Sequence, residues 1–282
     1  HCMNRIKEAI KEANRQESGL SDTGDEFTWL LALRDRKGEL PELKDKLQSI
    51  FDQEREASRE GAAVDGKFVK IPAGAFLMGG YEYDGEQPVR VVYLSDYWIS
   101  RYAETFEEYD GYCEESGKEK PPDKENWGRG RRPVINVSWN DAKAYIKWLE
   151  DGSCLPTEAQ WEKASRGCLG RRYPWGNEWD PSKANSRESG LRKTLEVESY
   201  APCMYGLYQM SGNVLEWCED YWHGRYPKDS LTNPTGPSVG SDRVFRGGSW
   251  GNVAWYCRCA FRGRDDPGGR FSSLGLRLSR TK

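Results

Sequence analysis

Arg243-Val244-Phe245-Arg246-Gly247-Gly248-Ser249-Trp250 is the stretch on which the reading of this chain turns. Two consecutive glycines permit close backbone approach, and a tryptophan just beyond them suits a packed core. Trp161, Trp175 and Trp217 are read the same way, as scaffold. What lies on either side of these residues decides whether that scaffold carries chemistry or recognition.

Upstream, the periodicity divides the chain. Residues 3 to about 60 are rich in Glu, Lys, Arg, Ala and Leu, with Phe27, Leu30, Leu31, Leu43, Leu47, Ile50 and Phe51 at helical spacing. This predicts a helical N-terminal region over 1–62, broken near Leu40-Pro41, then a Gly/Ala linker and a second domain over 63–282. In that domain Lys67 to Ile71 alternates and Val89 to Leu94 is β-branched, so both are predicted strands. Ser138 followed by Asp141, and Thr157 followed by Gln160, are capping boxes that start two helices. Between about 167 and 240, Gly, Pro, Asn, Trp and Tyr leave no clean period, and irregular aromatic-pinned loops are predicted.

Composition removes several function classes. The 12 Trp, 15 Tyr and 8 Phe supply a core that the mean hydropathy of -0.88 would not suggest. A formal charge of -3 gives no footprint for a phosphate backbone, so no nucleic-acid partner is expected. No run of about 18 apolar residues is present to span a bilayer. Membrane attachment is expected only through a lipid on Cys2, as on a bacterial surface lipoprotein. The eight Cys form no CxxC pair, and with two His they form no cluster at zinc spacing.

Six motifs resemble the formylglycine-generating-enzyme superfamily, and in its order. They are Phe68 to Gly79, Pro133 to Trp139, Leu155 to Glu162, Tyr173 to Asn177, Gly206 to Trp217 and Arg243 to Trp250. The resemblance covers about 67 to 280 and implies a C-type-lectin-like α+β fold, low in regular structure, with a twisted antiparallel sheet near the C-terminus. It also implies room for one structural calcium, on Glu216 and the backbone oxygens of Gly212 and Val214, and not for two. No cofactor is otherwise required.

The superfamily's copper(I) oxidases place two cysteines four residues apart after the Gly-Gly-Ser-aromatic strand. Here the chain reads Gly251-Asn252-Val253-Ala254-Trp255-Tyr256-Cys257-Arg258-Cys259, a CxC whose thiols would point to opposite faces of a strand. The iron sulfoxide synthases need three histidines, and His1 and His223 are two. The chain is therefore read as non-enzymatic, with a formylglycine-generating or related sulfatase-modifying oxidase as the alternative.

The C-terminus resembles instead the variable proteins of diversity-generating retroelements, of the treponemal surface-lipoprotein type. Arg246, Trp250, Trp255, Arg258, Arg262, Arg270 and Leu274-Gly275-Leu276-Arg277-Leu278 match their fixed framework, within a variable region of 246–278. The resemblance makes the intervening residues the ligand-binding ones: Gly251, Asn252, Val253, Tyr256, Cys259, Phe261, Gly263, Arg264, Asp265, Asp266, Gly268, Gly269, Phe271, Ser272 and Ser273. All lie within reach of an AAC codon mutated at its adenines. Rigid aromatics among small polar residues suit a binding surface, here for a protein or glycan on a cell or host. A monomer tethered to a bacterial cell surface is expected.

Overall fold

The computed structural model describes residues 63–281, apart from 124, 125, 169 and 230. The predicted N-terminal helices and Cys2 lie outside the described residues. Of the Gly/Ala linker predicted over 61–66, residues 61 and 62 also lie outside them, while 63–66 are described and include a short strand at Val64–Asp65 rather than free linker.

Three sheets and three helices follow. Strands β1 (Val64–Asp65), β2 (Phe68–Ile71), β5 (Tyr97–Ser100), β12 (Ser279–Arg280) and β6 (Ser153–Cys154) form a five-stranded sheet in the order β1-β2-β5-β12-β6. It ties the start of the domain to its end. A second sheet pairs β3 (Gly74–Met78) antiparallel with β4 (Arg90–Leu94), and β4 parallel with β8 (Leu231–Thr232). The third, β10-β9-β7-β11, joins Arg262–Asp265, Arg243–Arg246, Leu215–Tyr221 and Leu274–Leu276. The mixed α+β architecture is the one anticipated, with a correction in this third sheet: β11 runs parallel to β7.

Helices α1 (Phe106–Ser116), α2 (Trp139–Leu149) and α3 (Glu158–Arg166) begin on Thr105, Ser138 and Thr157. Each hydroxyl accepts the N3 amide, while the N3 side chain accepts the cap amide, which satisfies two otherwise orphaned donors. Period-2 alternation divides β2 between two cores. Phe68 packs with α1, α2, Trp217 and Leu274 to Leu278, whereas Val69 and Ile71 pack with Phe76, Trp161 and Val244. Trp161 and Trp217 are fully buried, as scaffold should be; Trp175 and Trp250 are half-buried. The predicted loop region from 167 to 240 contains β7, whose two neighbours in sequence-distant strands give it a ladder on both sides.

Candidate functional site

The C-terminal segment contains two sets of side chains with opposite fates. Four of the framework arginines turn inward, and Arg270 stays at the surface. Arg258 grips Glu86 through two hydrogen bonds of 2.8 Å, Arg262 grips Glu158 at 2.6 and 2.7 Å, and Arg277 grips Glu216 at 2.9 Å twice. Arg246 pairs with Glu162, which Arg166 also holds, at 2.5 Å. All four guanidiniums are buried. The Arg246 and Arg166 charges hold the Glu162 carboxyl below its ordinary range although burial pushes the other way. A buried pair broken on one side costs about 3–5 kcal/mol, so these bonds fix the path of the segment between them.

The backbone between the arginines is pinned from outside. Arg187 donates to the Asn252 carbonyl through its amide and to the Gly251 carbonyl through its side chain, and Glu188 accepts from the Ala254 amide. The carbonyls of Phe271, Ser272 and Ser273 accept from Asn136 N, Trp250 Nε1 and Leu215 N. Side chains here can therefore vary without loss of the main-chain bonds.

On this pinned backbone stands an aromatic ledge. Trp255 meets Tyr256 and Phe261 edge-to-face at 4.9 and 5.7 Å, Tyr256 meets Phe261 at 5.0 Å, and Tyr83 joins from the β3–β4 connection at 6.1 Å. Tyr256 is 40% exposed and Phe271 45%. Trp127 packs edge-to-face on Trp250 at 5.0 Å, beside the Ser272 carbonyl that Trp250 holds. Tyr83 and Trp127 are site residues that sequence reading missed. They come from loops 172 and 123 residues away from Trp255 and Trp250, and nothing in their own neighbourhoods announces the contact.

The fifteen predicted ligand-binding residues do not behave alike. Gly251, Asn252 and Val253 are half-buried, with the Asn252 side chain turned back to Ser249 Oγ at 2.8 Å. Arg264 is exposed and pairs with Asp242 at 3.3 Å instead of with its neighbouring acids. Asp265 and Asp266 accept from the amides of Asp266 and Gly268, closing the turn that Gly268 and Gly269 complete. Phe271, Ser272 and Ser273 reach the surface to differing extents.

Two positions are corrected. Cys259 is buried, accepting a hydrogen bond from Ser165 Oγ at 3.1 Å, and cannot touch a ligand. At Gly263 a Cβ would stand 2.2 Å from the Phe245 ring, so packing reserves the place for glycine. Phe261, 8% exposed, supports the ledge from beneath.

The thiols do not fit copper(I). Residues 254–257 form a 3-10 turn, not the anticipated strand. Cys257 Sγ fills the space that a Cβ on Gly248 would need, 2.7 Å away, while Cys259 faces Ser165. Burial pushes Cys257 up to about 12 and Cys259 up to about 11, so neither readily supplies the thiolate a soft metal takes. Glu216 does not fit calcium either. Its two oxygens accept from Arg277 and from Trp161 Nε1 at 2.6 Å, and its charge is already matched. Gly212 lies against Asn185 and donates to the Gly247 carbonyl; it and Val214 are buried in the turn that leads into β7, the strand that carries Glu216.

Residues 53–282 match the model of the sulfatase-modifying factor enzyme 1-like domain family. The mouse formylglycine-generating enzyme is 33% identical, over 76% of this chain and 74% of its own. That of Thermomonospora curvata is 32% identical over 81% of this chain and 97% of its own. Among solved structures, Treponema denticola variable protein 1 superposes with a TM-score of 0.67 at 29% identity, covering 78% of this chain and 98% of that one. These findings correct the expectation of a non-enzymatic chain: relatives alike over most of their length carry an enzyme's name, which suggests enzymatic activity.

Proposed function

We propose that this chain, which belongs to the sulfatase-modifying factor enzyme 1-like family, recognises a polypeptide through the aromatic face carried by residues 251–273. One observation carries the reading: buried arginine–carboxylate pairs fix the segment while Tyr256 and Phe271 stand exposed on it. Rigid aromatics on a fixed backbone bind with little loss of side-chain entropy, which is what a recognition surface needs. Relatives carry the name formylglycine-generating enzyme, and an amino-acid product in that name supports a peptide as the ligand class. The likeness to a Treponema variable protein supports a finer element: the exposed positions are those exchanged between copies, by a retroelement.

The test is selection of peptides from a displayed library on the full chain. Affinity for a selected peptide should fall about tenfold or more in Y256A and F271A, the loss typical of a buried aromatic anchor. Unchanged affinity in both variants would overturn the proposal. A reverse-transcriptase gene beside a near-copy of the codons for residues 247–278, differing at adenines, would support the finer element, and its absence would remove it.

The identity to formylglycine-generating enzymes favours a second reading, in which the recognised peptide is also modified. Full-length protein with copper(I), oxygen, a cysteine-containing peptide and dithiothreitol tests it by mass spectrometry: the peptide cysteine supplies two electrons as it becomes the aldehyde and releases sulfide, and dithiothreitol, oxidised to its disulfide, supplies the other two that reduce oxygen to water. An aldehyde-bearing peptide supports it, and formation of that product by C257S and C259S would show that the two buried thiols are not the metal's ligands. Bound but unaltered peptide overturns it.

A further inference from the structure

Away from the ledge, a cavity of about 470 Å³ opens between β4, the start of α3 and the 233–237 loop. None of the exposed residues of the aromatic face lines it. Its size is that of a pocket for a small organic molecule. Pro227, Leu231, Pro234 and Pro237 give it a stiff, apolar wall, and Arg90, Asp220 and the Glu158–Arg262 pair stand at its polar end.

Arg90 is the anomaly. It is only 4% exposed, yet its Nε and Nη1 have no hydrogen-bond partner, and among the described residues it forms no ion pair. Its Nη2 reaches only the Met78 sulfur, at 3.7 Å, and its guanidinium lies 4.5 Å over the Tyr226 ring. The acids nearby are already committed. Glu158 holds Arg262, and Glu162 holds Arg246 and Arg166. Four arginines thus face two committed glutamates and Asp220, whose carboxyl burial and the Glu158 charge push up to about 7. A buried guanidinium without an acceptor is costly, and positive charge is left over for an incoming anion.

We propose that this cavity is a second binding site, for a small organic carboxylate with an apolar body, anchored on Arg90. The charge of the ligand follows from the surplus: four arginines against Glu158, Glu162 and an ionised Asp220 leave one positive charge, which a monoanion balances, while a doubly charged phosphate ester would be repelled by Glu158 and Asp220. The apolar body follows from the proline-rich wall. Thr235, exposed at the rim, sets the entrance.

The experiment is calorimetric titration of the full chain with phenylacetate, and with phenylacetamide as its uncharged analogue. Phenylacetate should bind, and phenylacetamide about tenfold or more weaker, since a hydrogen bond to a charged group is lost. R90M should bind phenylacetate about tenfold or more weaker while unfolding no earlier than wild type, because it removes an unpaired buried charge. T235W, a change at the exposed rim, should also weaken binding by closing the mouth. Absence of phenylacetate binding, equal binding of the amide, or full affinity in T235W would overturn the proposal. So would an R90M protein that unfolds, since Arg90 would then be a structural residue.

Discussion

Within thirty residues of one segment, Arg258 and Tyr256 are two positions apart and do opposite things. Arg258 points into the protein and takes both oxygens of Glu86, 172 residues earlier; Tyr256 points out and packs only on neighbours of the same face. The same contrast separates Arg262 from Arg264, the first buried on Glu158 and the second 54% exposed beside Asp242. Fixity and freedom are interleaved along the chain. A long-range carboxylate anchors each buried arginine of this segment, so the exposed residues between anchors carry little of the fold's stability.

The largest effect that could break this comparison is R258M, which strands Glu86 as a buried charge. It should cost about 3–5 kcal/mol in urea unfolding, and a loss below about 1 kcal/mol, the scale of a surface pair, would show that the framework is not what fixes the segment.

The next sharpens what burial does to charge. Asp220 and Glu104 are buried carboxyls raised to about 7 from ordinary values of 3.8 and 4.5, in both cases mainly by desolvation. A folded value above the unfolded one means stability that is fully present below the unfolded value and lost as pH rises through about 7. D220N should lose less stability than wild type between pH 5 and 8, and parallel profiles would refute the assignment. Asparagine keeps an oxygen for the Glu158 amide that Asp220 now accepts at 2.8 Å.

On the free side, Y256A should change unfolding stability by no more than about 0.5 kcal/mol, the usual range of exposed substitutions, while weakening peptide binding as set out above. A destabilised Y256A would make the ledge part of the core. The smallest effect belongs to Arg270, a framework residue that stays outside. Its guanidinium is 52% exposed on Asp141, so R270A should cost about 0–1 kcal/mol. A cost like that of R258M would mean that exposure does not divide the framework.

How much of this was legible follows the range of the interactions. Ser138 with Asp141 and Thr157 with Gln160 are local signals, and their helices appear as predicted. The α1 signal was equally local, a capping box of Thr105 and Glu108 with Phe106, Tyr109, Tyr112 and Cys113 as its apolar stripe, but Gly111 and five carboxylates obscured that stripe. Cys259 and Gly263 were misread because their burial is set by Ser165 and Phe245, which no spacing within the segment reveals. The parallel direction of β11 is likewise absent from a three-residue strand. Arg90 and its cavity were invisible for the same reason: a missing partner can be seen only once every neighbour is in place.

The most direct measurement combines both halves of the comparison in a single protein. A variant carrying V253S, Y256S, D266S and F271S, with every framework arginine kept, is unfolded by heat and titrated with a peptide selected on wild type. A midpoint within about 4 °C of wild type, near 1 kcal/mol for a domain of this size, together with loss of peptide binding, is the predicted result. A protein that unfolds many degrees earlier, or one that still binds the peptide with wild-type affinity, would contradict it.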